Sequence, residues 1–257
     1  MSILRSLLLA LATFTRIPMP PVDWKPENMR HALAALPLVG VIITALLWLW
    51  LLVSNVLGFH TLLFAVGLTL IPILVTGGIH LDGFCDTVDA LSSWAPMERK
   101  REILKDSHVG AFAVIGVALY LLTYFGFCTE LEQSTQKVLL LGSAAILSRA
   151  TNSFACLFFP PAEGSDLLGL LQKAAGKQSA LIGVLWFALA GAVACCIDWR
   201  SALGMVGAIL LVVLYVRVMS KRQFGGMSGD IAGYLTQLAE LGALIALVLV
   251  EKVVGLL

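Results

Sequence analysis

Along the chain, long apolar runs alternate with short polar interruptions, and no stretch shows the every-other-residue alternation of a half-buried strand. From Ala32 almost to the C-terminus the runs reach about 20 residues, which as a helix is enough to cross a hydrocarbon core of about 30 Å. The pattern predicts seven spans: Ala32 to Val53, Phe59 to Thr76, Val109 to Cys128, Val138 to Phe158, Ala180 to Ile197, Ala202 to Met219 and Ile231 to Val250. Residues 1–257 thus read as one all-α domain, a polytopic transmembrane helical bundle. Ahead of the spans, Met1 to Ala12 is apolar with one arginine, and no small-residue cleavage site follows it. Pro18, Pro20, Pro21 and Pro26 then break any helix, so residues 1–30 are expected to form an uncleaved interfacial segment and a loop. No internal repeat supports an inverted-repeat transporter.

Composition agrees with a bilayer environment. The 257 residues are 59% hydrophobic and 13% charged, with a mean hydropathy of +0.94, whereas soluble domains are roughly 45–50% apolar and about 25% charged. A net charge of +1, with the basic residues in short loops, gives no footprint for nucleic acid. With the N-terminus placed in the cytoplasm, 13 of the 17 Lys and Arg residues fall inside. Three (Lys137, Arg200 and Lys252) fall outside, and Arg149 lies within a span. This is the bias expected of a multi-pass protein of the inner, cytoplasmic membrane. It also puts the loops at 77–108 and 220–230 on the cytoplasmic face. The five cysteines are scattered, in no metal-ligand spacing, and are assigned to packing.

The polar residues gather in three places. The first is Gly77-Gly-Ile-His-Leu-Asp-Gly-Phe-Cys-Asp-Thr-Val-Asp89. At 100° per residue Asp82, Asp86 and Asp89 fall within about 60°, so a helix here would carry three carboxylates on one side. Like charges at this spacing repel, and hard oxygen ligands at a membrane face suit Mg²⁺ or Mn²⁺. Aspartates at a helix start also favour the dipole, and Asp82 could act as a cap. His80 lies about 160° from Asp82 and should serve another partner, as a substrate contact or a turn cap.

The second cluster, Lys105-Asp-Ser-His-Val-Gly110, precedes the third span. Asp106 or Ser107 could simply cap that helix. Alternatively Asp106 is a further metal ligand, Lys105 a phosphate clamp and His108 a proton acceptor or phosphate contact. The third, Gly225-Gly-Met-Ser-Gly-Asp230, opens the last span. Gly225, Gly226, Ser228 and Gly229 could present N–H groups to an anion at a helix N-terminus, as could Gly77 and Gly78 before the first cluster, or they could form tight turns. Asp230 would cap the helix in one case and hold a metal or a nucleotide hydroxyl in the other. Arg149 at mid-span needs an anion, either substrate or a nearby acid, with Glu240 one option.

Taken together, the run Thr76 to Leu91, Lys105 to Gly110 and Gly225 to Asp230, with Phe14-Thr-Arg-Ile-Pro18 and Leu36-Pro-Leu-Val-Gly40 ahead of them, resembles the bacterial cobalamin synthase family (adenosylcobinamide-GDP ribazoletransferases) over most of the chain. The resemblance implies a phosphotransferase-type enzyme with Mg²⁺ as cofactor. Its substrates would be a corrinoid nucleotide and ribazole or ribazole 5′-phosphate, joined with release of GMP. It further implies Asp82 and Asp86 as catalytic ligands, Asp89, Asp106 and Asp230 as further metal ligands, and Lys105 and Arg149 as neutralisers of phosphate charge. Cys85 and Ala90 depart from the Ala or Gly common in that family, and His108 from its Arg. The rival readings are a CDP-alcohol phosphotransferase of lipid synthesis, whose usual Ala-Arg after the first Asp-Gly is replaced here by Phe84-Cys85, and a cation transporter, which would spread its acids through several spans. Oligomeric state, a homo-oligomer included, stays open at this level.

Overall fold

The computed structural model describes residues 2–164 and 166–256. Among the described residues the secondary structure is helical, apart from an isolated bridge between Pro161 and Met227. In chain order the helices are α1 (Ser2–Phe14), α2 (Pro26–Met29), a 3₁₀ turn at Leu33–Ala35, α3 (Leu36–Leu57), α4 (Thr61–Thr76) and α5 (Ile79–Ser92). They continue with α6 (Met97–Ile103), α7 (Ala111–Thr129), α8 (Thr135–Phe158), α9 (Asp166–Ala174), α10 (Lys177–Phe224) and α11 (Gly229–Val254).

Helix α8 is the centre of the bundle, packed by α3, α10 and α11. Small residues set its approach to α3: a Cβ on Gly40 would fall 2.7 Å from the Ala145 carbonyl oxygen, and one on Gly142 2.3 Å from Thr44. Without a hydrophobic drive between helices in lipid, such close backbone contact supplies the cohesion. Enclosure of α8 on several sides also explains how it carries Ser148, Arg149, Asn152 and Ser153 buried at the depth where α7 and α10 turn leucines outward.

Helix α10 is interrupted at Asp198, whose φ of −155° and ψ of 104° are extended. Asp198 accepts from the Arg200 N–H (3.1 Å) and from Ser201 Oγ, which starts a fresh helix. The two arms fold back on each other. Gly183 sits beside Ser153 and Arg217 lies 5.6 Å over the Phe159 ring, both at the C-terminal end of α8, whereas Asp198 lies in the field of Lys137 at its start. The antiparallel arms 177–197 and 199–224 stand where the apolar pattern predicts its fifth and sixth spans.

By length and composition five segments can cross a membrane: Pro26–Leu57, Ala111–Thr129, Thr135–Phe158, Gln178–Phe224 and Gly229–Val254. A sixth is reached when α4 and α5, bent by 93°, count together. The seven-span expectation differs at its second span: helix α4 has 16 residues, about 24 Å at 1.5 Å per residue, short of the hydrocarbon thickness. The region 77–108, expected as a long loop, is built of α5 and α6. Cys195 and Cys196 are exposed rather than packed.

Candidate functional site

The site begins with the bend between α4 and α5. Gly77 (φ +64°) and Gly78 (φ +81°) are both left-handed, a pair that turns the chain abruptly and that other residues resist. The Gly77 N–H closes on Leu74 (3.3 Å) and that of Gly78 on Ile73 (3.0 Å). With these donors engaged by the end of α4, the two glycines make the turn and do not present an anion cradle. A Cβ on Gly77 would also fall 2.5 Å from Arg16 Cγ.

Beyond the bend α5 is helical, as the aspartate spacing predicts, and it buries Gly83, Phe84, Thr87 and Ala90. Phe84 lies between Tyr120 and Tyr234, with centroids 5.1 and 5.4 Å away. The crossing with α11 is backbone on backbone: a Cβ on Gly83 would meet Asp230 Cα and its carbonyl oxygen at 2.7 Å, and one on Gly233 the His80 carbonyl oxygen at 2.7 Å. Two glycines thereby place Asp230 of the last helix next to Asp82 of the acidic one, although 148 positions separate them in sequence.

Asp82 and Asp230 line one side of a cavity of about 320 Å³, with His80, Ser228 and Gly229. Ser228 caps α11, accepting from the Ile231 N–H at 3.3 Å, which leaves the Asp230 carboxylate to face inward. Lys105 and Arg101 line the same cavity. Lys105 Nζ lies 2.6 Å from where a Cβ on Gly164 would be. Arg101 donates from Nε to the Phe224 carbonyl (2.7 Å) and from its guanidinium to Glu163 (3.0 Å). The cavity lining thus carries both carboxylates and cations.

Asp86, on the same ridge but outside the cavity wall, has its carboxyl pushed up to about 7 by partial burial and by Asp82, Asp230 and Asp89. The acids crowd one another. Asp89 turns toward α7: a Cβ on Gly110, the residue before that helix, would meet its carboxylate within 2.4 Å. Among the described residues no three His, Cys, Asp or Glu side chains are placed to enclose a metal ion on their own.

The remaining sequence candidates lie elsewhere. Asp106 and His108 pair with each other on the surface, Oδ1 lying 2.7 Å from Nδ1 and accepting the His108 N–H at 3.0 Å. That bond holds the Asp106 carboxyl below its ordinary range, and neither residue caps α7. The Gly225 and Gly226 N–H groups both bond to Ser220, and a Cβ on Gly226 would strike the 160–162 backbone at 2.6 Å. These glycines join two stretches of chain with both N–H groups already engaged. Arg149 is buried and paired with Glu240, with a further bond to the Ala145 carbonyl (2.9 Å). It lies off the cavity, in a small polar void that His80 separates from it.

Three contributors had no signal strong enough to find in sequence. Arg101 is one basic residue in the run Arg99-Lys-Arg101, and Asn152 is a polar residue in an apolar span. Helix α9, which closes the cavity with Leu167, Leu168 and Leu171, is too short to stand out among spans. Its leucine spacing is the one signal that could have marked it as amphipathic.

Comparison with known proteins adds independent findings. A family model described as cobalamin-5-phosphate synthase matches residues 6–248. Relatives named adenosylcobinamide-GDP ribazoletransferase include one from Lachnoclostridium phytofermentans, 35% identical over 98% of this chain and 96% of its own. Another, from Clostridium perfringens strain 13, is 34% identical over 95% and 97%, and one from a Geobacillus species is 28% identical over 88% of each. No solved structure matches the chain.

Proposed function

The chain belongs to the cobalamin-5-phosphate synthase family, membrane-bound transferases of cobalamin biosynthesis, and on that premise we propose that it joins α-ribazole, or its 5′-phosphate, to adenosylcobinamide-GDP. The ribazole hydroxyl attacks the phosphorus next to the cobinamide, and the bond from that phosphorus to the bridging oxygen breaks. GMP leaves, and adenosylcobalamin or its 5′-phosphate forms. The observation that carries this reading is a single cavity lined by Asp82 and Asp230 together with Lys105 and Arg101.

The donor set fits Mg²⁺ as a resident cofactor. Magnesium takes one or two carboxylates and completes its octahedron with water and substrate phosphates, which suits Asp82 and Asp230, the cavity's third carboxylate, Glu163, being paired with Arg101. Asp82 and Asp230 would hold it, with Asp86 adding negative field from the ridge behind. Bound there, the ion would supply charge neutralisation to the diphosphate and to the departing oxygen. Lys105 and Arg101 would neutralise the phosphates from the same cavity, so the chain contributes mainly position and fixed charge. The excess of basic residues at 99–105 and 217–222 supports a cytoplasmic N-terminus and a site open to the cytoplasm across the inner membrane.

Purified protein in lipid, supplied with adenosylcobinamide-GDP, α-ribazole and Mg²⁺, tests the reading. We expect one GMP per adenosylcobalamin by mass spectrometry and loss of both products with chelator. Absence of GMP from folded protein, or equal yield without divalent metal, refutes it.

A further inference from the structure

Most of the cavity wall has no use in phosphate chemistry. Besides the acids and cations it is lined by Phe14 of α1, Leu33 and Leu36, Ile79 of α5, and Leu168 and Leu171 of α9. The leucines at 33, 36, 168 and 171 are no more than 6% exposed. Leu168 and Leu171, three apart, share one face of α9, while Leu170 between them turns out to the surroundings. The single carboxamide in the wall, Asn152, is engaged: Nδ2 donates to Thr236 Oγ1 at 2.8 Å and Oδ1 accepts from Cys156 Sγ at 3.2 Å.

At about 320 Å³ the space sits at the low end of small-molecule pockets. It admits one nucleoside-sized part beside the phosphates and leaves the corrin ring outside. Two bases compete for it. Guanine presents a carbonyl, an N–H and an amino group along its edge, and each buried without a partner costs roughly 1–3 kcal/mol. A benzimidazole ring presents methyl and C–H edges and one acceptor nitrogen, so leucine walls accept it at a lower cost than guanine. A lipid chain would suit the leucines but not the three carboxylates, Asp82, Glu163 and Asp230, and the two cations that line the same space.

We propose that this apolar wall is the subsite for the aromatic base of the acceptor nucleoside, a bicyclic ring with a single polar edge atom, and that Leu168 and Leu171 of α9 set which base is accepted. The inference rests on the transferase reading above and adds to it the order of the site: base against α9, ribose hydroxyl toward Asp82 and Asp230, guanine outside the leucine wall.

The test uses full-length protein in lipid nanodiscs. Equilibrium binding of α-ribazole is measured without donor, by the fluorescence of the ribazole ring, alongside KM for each substrate. Leu168→Phe narrows the slot and Leu171→Ala widens it. Thermal melting verifies folding of each, and Leu171→Ala carries the test if Leu168→Phe does not fold. Leu168→Phe is expected to raise both Kd and KM for α-ribazole by about tenfold or more, with KM for adenosylcobinamide-GDP within about threefold. Leu171→Ala is expected to narrow the preference for α-ribazole over a purine riboside of the same linkage. A rise confined to the donor KM would assign the wall to guanine. Co-purified lipid lost from Leu168→Phe at unchanged ribazole Kd would assign it to an acyl chain, and no change in either substrate would exclude the cavity; each overturns the proposal. Because binding is read without donor, intact ribazole binding in a parent that forms no product counts against the transferase reading and leaves the subsite standing.

Discussion

Replacing Gly83 by alanine places a methyl group where α5 and α11 touch backbone to backbone. Its nearest neighbours, Asp230 Cα and carbonyl oxygen at 2.7 Å, cannot rotate away as a side chain would, and ordinary contact begins at 3.4 Å. The helices must part by about 0.7 Å, and overpacking of this kind costs about 1–3 kcal/mol. The larger effect falls on catalysis, because the same movement carries Asp82 away from Asp230, and misplacement by about 1 Å can cost roughly 10²-fold in rate. Gly83→Ala is therefore expected to stay folded with a lowered melting temperature and to release GMP about a hundredfold more slowly in single-turnover assays. Gly126→Ala, where a Cβ meets nothing within 4 Å, serves as the control at parental rate. Turnover by Gly83→Ala within about threefold of the parent would refute the argument that the glycine crossing sets the site.

Three further outcomes follow from the same structure. Glu240→Gln leaves Arg149 buried and unpaired and should destabilise by about 3–5 kcal/mol, while the double change Arg149→Met with Glu240→Leu should recover most of that in chemical denaturation. Lost turnover in a well-folded double variant would instead make Arg149 a substrate contact. Asp86, raised from 3.8 to about 7, opposes folding increasingly as pH rises through that window, because the unfolded carboxyl ionises more readily than the folded one. In chelator, Asp86→Asn should raise the melting temperature at pH 8 and leave it little changed at pH 4, and a gain of equal size at both would show that the crowding is absent. Arg101→Gln should raise KM for the nucleotide donor, whereas Glu163→Gln, which removes a weak and exposed competitor, should leave it equal or lower; equal weakening by both would make the pair a strut.

Much of this architecture is legible in the chain because lipid imposes a simple rule on long helices. Helices α3, α7, α8 and α11 stand close to their apolar runs, and the three aspartates of α5 are spaced as a helix spaces them. What escaped depends on contacts between distant segments. Gly225 and Gly226 read equally well as an anion loop until the 160–162 backbone and Ser220 are seen to occupy them. Asp106 and His108 bond to each other two residues apart, a local solution that competes with any distant role. The Arg149–Glu240 pair was one option among several, since charge at mid-span says that a partner exists and not which. The apposition of Asp82 and Asp230 needed the Gly83–Gly233 crossing, which spacing along one helix does not show.

The central claim is that Asp82 and Asp230 hold a divalent cation against a diphosphate, and binding of Mn²⁺ followed by electron paramagnetic resonance in the presence of GDP addresses it most directly. The account predicts saturable binding by the parent, affinity lower by about tenfold or more in Asp82→Asn and Asp230→Asn, and parental affinity in Asp106→Asn. Parental Mn²⁺ affinity in both Asp82→Asn and Asp230→Asn, or its loss only in Asp106→Asn, would contradict it.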